Sequence, residues 1–248
     1  MEWSIKSDQG RVREKNQDSI ASYIREDGLG FLCVCDGIGG ARAGEVASSM
    51  ACSLLKEKVV QSPKMASMVE LRHAMTQWLE DINRTIFQQS RKNINYRGMG
   101  TTLVAVLFFQ NAYLAVNIGD SRIYSLTHDD ELERISFDHS LVFDMVRNGE
   151  LTEEQANHHP QRNYLTNALG IETEVKIDFY DISADSWKML LLCSDGLHGY
   201  VSDKSIRRTL LNGKMSLSEK TDVLIELAND AGGFDNISVA LLKRKDKQ

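Results

Sequence analysis

The chain has 248 residues, 42% of them hydrophobic and 26% charged, with a formal net charge of −6. That length and composition support a large apolar core without disulfides. The acidic balance speaks against loose binding to nucleic acid or anionic membranes, and no run reaches the ~18 apolar residues of a membrane span.

The first residues, Met1-Glu2-Trp3-Ser4-Ile5-Lys6, carry no apolar signal-peptide stretch, so a soluble cytoplasmic protein is expected. Cys33, Cys35, Cys52 and Cys193 fit no common zinc spacing and read as small buried residues in a reducing compartment. There is no internal repeat, low-complexity stretch or linker, and Pro63 and Pro160 are the only prolines. A single domain over 1–248 is the simplest organisation.

Taken in chain order, 20–24 is a weak strand candidate and Gly30–Cys35 a strong one. Val46, Ala47, Met50, Ala51, Leu54 and Leu55 then form an apolar helical stripe. Leu71, Met75, Leu79, Ile82 and Ile86 form a longer one. Strands follow at 102–109 and Ala112–Ile118, joined by a hairpin turn at Gln110-Asn111. Residues 139–165 have few strongly apolar positions and read as a small surface excursion, the kind of segment that carries specificity. Within it, Asn148-Gly149 is positioned to end one short helix, and Thr152 with Gln155 has capping-box spacing for a second. Strands are expected at 189–193 and 237–242, and 175–182, like 20–24, is a weak candidate. A further helix is expected to start at Ser216 or Ser218, with Ser216 and Glu219 at capping-box spacing, and its stripe includes Leu224, Leu227 and Ala228. Strands and helices do not alternate strictly, so a doubly wound parallel sheet is disfavoured. The expected class is α+β, with mainly antiparallel sheets and packed helices.

The chemistry-bearing pattern is a set of aspartates at the ends of apolar runs, beside glycine or asparagine. Asp36 ends Phe31-Leu32-Cys33-Val34-Cys35 and opens Asp36-Gly37-Ile38-Gly39-Gly40. Asp120 follows Ala115-Val116-Asn117-Ile118-Gly119, and Asp195 follows Leu190-Leu191-Leu192-Cys193-Ser194. Asp235 precedes Asn236-Ile237-Ser238-Val239, and Asp18 sits in Asn16-Gln17-Asp18 before Ile20. A strand end is a rigid mount, and a neighbouring glycine lets backbone approach a ligand closely. Converging carboxylates repel one another unless a cation compensates. An all-oxygen set selects a hard ion, Mg²⁺ or Mn²⁺, over zinc. Any single Asp-Gly is ordinarily a turn or cap. The loop from Gly37 to Gly44 lacks the Gly-Lys-Ser/Thr of a P-loop, and Asp129-Asp130-Glu131 reads as a solvated turn.

Eight short motifs stand in a recognisable order. They are Arg13…Asn16-Gln17-Asp18, Asp36-Gly37-Ile38-Gly39-Gly40…Gly44-Glu45, Gly98-Met99-Gly100-Thr101-Thr102 and Gly119-Asp120-Ser121-Arg122. Then come Asp138-His139-Ser140, Leu165-Thr166-Asn167-Ala168-Leu169-Gly170, Ser194-Asp195-Gly196-Leu197 and Asp235-Asn236-Ile237-Ser238. The set resembles the bacterial type 2C (PPM, metal-dependent) serine/threonine protein phosphatases over about residues 8–240. Each motif is weak alone, and the order makes the set specific.

The resemblance implies a four-layer αββα sandwich: two antiparallel sheets face to face with helices outside, and a flap at about 143–163. It implies that Asp36 bridges two metal ions, with the Gly37 carbonyl on one of them. Asp195 and Asp235 would complete the first metal site and Asp18 would support the second. Asp120 with Asp195 would hold a third, weaker ion, and Arg13 would hold the substrate phosphate. The implied reaction is hydrolysis of phosphoserine and phosphothreonine in proteins by a metal-activated water. The implied setting is a bacterial cell whose serine/threonine kinase this enzyme opposes, with the enzyme acting as a monomer. A phosphatase of a small metabolite and a non-catalytic module of the same fold are the alternatives.

Departures from the family pattern are Gln17, where eukaryotic members carry an acid, and Ile38 and Ala41, where histidines are common. Asn167 stands where arginine is common. Neither Ile38 nor Ala41 can donate a proton, so either a metal-bound water or another group does; His139 is the candidate residue, with a structural hydrogen bond as its competing role. For Arg13 the competing role is a solvated surface arginine. For Asp120 it is a turn aspartate capping Ser121 or pairing with Arg122.

Overall fold

The computed structural model describes residues 1–39 and 43–244. Ala41 therefore lies outside the described residues, together with Gly40 and Arg42.

Two five-stranded sheets, each antiparallel throughout, form the middle of the molecule. One has the order β1 (Glu2–Asp8), β12 (Ile237–Lys243), β11 (Trp187–Cys193), β8 (Arg122–Thr127), β9 (Leu132–Arg134). The other has the order β10 (Asp178–Ile182), β7 (Ala112–Ile118), β6 (Leu103–Phe109), β3 (Gly30–Cys35), β2 (Ser19–Ile24). A short third pair, β4 (Gly37–Ile38) with β5 (Gly100–Thr101), hangs from the end of β3.

Side chains alternate along a strand, and here both faces are covered. Phe31, Cys33 and Cys35 of β3 pack with α1 (Ala43–Gln61) and α2 (Met68–Lys92), while Leu32 and Val34 enter the layer between the sheets. On β12, Val239 and Leu241 face α6 (Asp203–Leu211) and α7 (Leu217–Asp230), while Ala240 and Leu242 face the other sheet. That double burial is why these strands read as continuous apolar runs. Each fully buried Leu or Val contributes roughly 1.5–3 kcal/mol. Three apolar layers thus separate helices, sheet, sheet and helices, the four-layer arrangement the resemblance implied.

Local devices match the sequence reading closely. Gln110 and Asn111 have φ of 50° and 66°, a two-residue turn of the primed kind that closes the β6–β7 hairpin. Ser216 and Glu219 form a capping box on α7. In the excursion, α3 (Leu141–Arg147) ends at Asn148, with Gly149 at φ 76°, and α4 (Glu153–Asn157) starts at the Thr152–Gln155 capping box. The strands expected at 102–109 and 175–182 begin later, at Leu103 and Asp178.

The strands β1, β8 and β9 and the helix α6 were not anticipated. β1 is an edge strand and only partly buried, so it lacks an apolar run. In α6 only Ile206, Thr209 and Leu210 are buried, too short a stripe to stand out.

The sulfurs of Cys33, Cys35 and Cys52 lie within 4.8 Å of one another, as free buried thiols. A divalent ion held by three thiolates would leave a net negative charge in this apolar layer, which burial penalises. We therefore read the cluster as core.

Candidate active site

The five aspartates singled out by sequence come together at one end of the sandwich, each on its own mount. Asp36 stands at the end of β3. Its N–H donates to Thr102 Oγ1 at 2.9 Å, and its carbonyl accepts from Thr102 N–H and Thr101 Oγ1, both at 2.9 Å. Gly37, next in the chain, packs so closely on α1 that a Cβ there would lie 2.2 Å from the Gly44 carbonyl oxygen. No side chain is tolerated at that contact.

Asp195 is the first residue of α5 (Asp195–His198). The preceding Ser194 donates from Oγ to Asp18 Oδ2 at 2.7 Å and accepts the Ser238 N–H at 2.9 Å. One hydroxyl thus links β11, β12 and the turn before β2. Asp235 precedes β12 and accepts from Arg13 at 2.7 Å. Asn236 beside it accepts the Gln17 N–H at 2.8 Å and donates to the carbonyls of Gln9 and Lys15 at 2.8 and 2.9 Å. That amide ties the loop carrying Arg13 and Asp18 to the one carrying Asp235. Asp120 follows Gly119, whose φ of +101° suits glycine, in the turn from β7 to β8.

The carboxylates sense one another. Burial, then the charges of Asp18, Asp195, Asp120 and Asp235, hold the Asp36 carboxyl well above its ordinary pKa. Burial pushes Asp18 up to about 7, with Asp195 and Asp235 adding to the shift and the Ser194 and Ser238 hydrogen bonds opposing it. Asp195 is raised to about 6 by burial and by Asp235, against a hydrogen bond from Asp36 and the charge of Arg13. Burial and Asp195 likewise raise Asp120.

Such a cluster suits a cation. Asp18 Oδ1 and Asp195 Oδ1 are buried with no hydrogen-bond donor. Buried carboxylate oxygens without partners are costly, and an all-oxygen donor set of this charge suits Mg²⁺ or Mn²⁺. The residues present fit such ions.

Arg13 is no detached surface arginine, because it rests on Asp235 and its pKa is raised chiefly by that hydrogen bond. Arg122 pairs with Asp138, its Nε and Nη2 reaching the carboxylate at 2.8–3.3 Å, and so does not pair with Asp120. Arg134 reaches the same carboxylate at 2.5 Å. His139 Nε2 donates to Asp178 at 2.9 Å, while Nδ1 accepts from Gly119 N–H at 3.1 Å and from Asn167 Nδ2 at 2.8 Å. Both ring nitrogens are engaged, a geometry that suits the structural role.

A groove of about 780 Å³ runs from Asp120 and Asp195 along the α3–α4 excursion. Val142, Phe143 and Val146 of α3 line one side, and Tyr200 and Ser202, after α5, also line it. The excursion is closed at its base by a bridge between Ser140 and Leu165.

Ser194 and Asn236 stand in the motifs without an assigned role, and nothing in the sequence singles out Asp178 or His198. Their partners lie 39 to 227 positions away in the chain, so spacing holds no signal for them.

Fold and site together define a class: a carboxylate-rich, cation-binding centre on a doubly covered antiparallel sandwich. The family model for "Protein phosphatase 2C" matches residues 9–230. "Serine/threonine phosphatase stp" of Listeria monocytogenes is 38% identical over 244 residues, covering 98% of this chain and 96% of that protein. "Protein phosphatase PhpP" of Streptococcus pneumoniae is 38% identical over 247 residues, covering 100% and 99%. The crystal structure of serine/threonine phosphatase Stp1 from Staphylococcus aureus superposes with a TM-score of 0.93 at 33% identity, covering 99% of this chain and 95% of that one. The chain belongs to the protein phosphatase 2C family.

Proposed function

We propose that this protein removes phosphate from phosphoserine and phosphothreonine in other proteins, using two Mn²⁺ or Mg²⁺ ions and a third, weaker one. The observation that carries the reading is the convergence of five aspartates, two with buried unpartnered oxygens, in a chain of this family.

Asp36, Asp195, Asp235 and the Gly37 carbonyl, supported by Asp18, are the residues that would hold the two tight ions. Asp120 with Asp195 would hold the third. When bound, the ions supply an activated water and offset charge on the phosphoryl oxygens. Arg13 supplies the substrate contact. Its planar guanidinium, resting on Asp235 with half of the side chain exposed, is placed to turn to two phosphate oxygens at once. Thr101 and Thr102 hold the Asp36 backbone still, and Ser194 orients Asp18. The leaving oxygen does not take its proton from His139, whose nitrogens are spoken for, nor from Ile38.

Residues of about 143–163 act as a flap over the groove, and the groove receives the polypeptide around the phosphorylated residue. The partner is a phosphoprotein made by a serine/threonine kinase. We expect the enzyme to act as a cytoplasmic monomer, without nucleic acid or membrane. No described helix is long and apolar enough to cross a membrane.

The test is a panel of phosphoserine and phosphothreonine peptides against small phosphorylated metabolites, with Mn²⁺ present. The reading predicts higher kcat/KM on the peptides. A consistent preference for one metabolite would overturn it, and inactivity on everything would favour a binding module.

A further inference from the structure

Asp120 sits on a turn that is held from two directions by histidines of other elements. From one side, His139 N–H donates to the Gly119 carbonyl at 2.9 Å, and the Gly119 N–H donates to His139 Nδ1 at 3.1 Å. A ring nitrogen that accepts from a backbone N–H carries no proton, so His139 is the Nε2–H tautomer, and Asp178 fixes it by accepting that proton's hydrogen bond at 2.9 Å. From the other side, His198 Nε2 lies 3.1 Å from the Asp120 carbonyl oxygen, which can only accept. His198 is on α5, three positions after Asp195. It therefore ties the Asp120 backbone to the short helix that carries Asp195. His139 also reaches the base of the α3–α4 excursion: its carbonyl accepts from Thr166 N–H at 2.9 Å, and Asn167 donates to its Nδ1.

We propose that His139 and His198 are positioning residues, a two-sided clamp that locks the Asp120 turn beside Asp195 and couples it to the base of the excursion. This rests on the reading of Asp120 as a ligand of the weak third ion. A ligand on a turn made flexible by glycine has to be held in place, since partners of this kind typically govern metal affinity or activity by about 10- to 100-fold. Asp178 in turn orients His139, and Asn167 passes the constraint to the excursion. The clamp thereby makes placement of the flap and placement of Asp120 one event.

The experiment uses the full chain with His139→Ala, His198→Ala and His198→Gln, each alone and combined with Asp120→Ala. In metal-free protein, amide hydrogen exchange at 117–121 should speed up in His139→Ala and stay as in wild type across β3, β6 and α2. With Mn²⁺, His139→Ala should lose about 10- to 100-fold in weak-ion affinity or turnover. Calorimetry should still find the two tight ions. His198→Gln keeps an N–H donor and should lose less than His198→Ala. Adding His139→Ala to Asp120→Ala should cost little more than Asp120→Ala alone. Unchanged exchange at 117–121, or fully multiplying losses in the double variant, would overturn the clamp while leaving Asp120 a ligand. Full turnover in Asp120→Ala would instead overturn the ligand reading and with it the clamp's catalytic purpose.

Discussion

Arg13 and Asp235 form a 2.7 Å pair, and that pair has two consequences. The first concerns substrate. A charge-assisted hydrogen bond contributes roughly 1.5–3 kcal/mol, so Arg13→Ala should lower kcat/KM on a phosphopeptide by about 10- to 100-fold. Arg13→Lys should recover only part of it, since a point charge cannot match the bidentate fork. Unaltered steady-state kinetics in Arg13→Ala would remove the phosphate role. The second concerns the cluster. Arg13 helps keep Asp195 ionised, so its loss should raise the apparent Asp195 pKa further, readable by titration of the metal-free protein. Asp36 makes a sharper case. Burial and four neighbouring carboxylates oppose its charge. Asp36→Asn should therefore abolish nearly all turnover, yet melt higher than wild type when both are metal-free at pH 8. A lower melting temperature would contradict the repulsion described here.

At the scale of elements, the site is built from strand ends and loops pinned by a few side-chain amides and hydroxyls. Asn236 joins two loops through three hydrogen bonds, and it is 5% exposed. Leaving such partners unsatisfied costs about 1–3 kcal/mol. Asn236→Ala should lower the denaturation midpoint accordingly, and should weaken metal binding although no ligand is removed. A midpoint within error of wild type would contradict the pinning. This is also where sequence reading reached its limit. Runs such as Leu103–Phe109 announce themselves because both faces of the strand are buried. The aspartates were visible because a carboxylate at the end of an apolar run, next to glycine, is an unusual pattern. The pins were not visible, because a serine such as Ser194 or an asparagine such as Asn236 looks the same in sequence whether it faces solvent or a distant loop. β1 was missed for a related reason: an edge strand needs no continuous apolar run.

For the whole molecule, the cluster couples stability to pH and to cations. Asp18 titrates near 7 and Asp195 near 6 in the fold, both above the ordinary 3.8. A carboxyl raised in this way stabilises the fold fully below its unfolded pKa, and that contribution is lost as pH rises through the folded value. The metal-free protein should thus lose melting temperature from about pH 4 to about pH 7. Excess Mn²⁺, which binds the ionised form, should restore it most above pH 7. Parallel melting curves with and without Mn²⁺ across that range would mean that no cation meets these carboxylates. The most direct test of the central claim is turnover of a phosphothreonine peptide by rigorously chelated protein before and after Mn²⁺ is returned. The carboxylate cluster predicts no hydrolysis without the ion and full recovery with it. Hydrolysis that persisted in the chelated sample would contradict the account at its root.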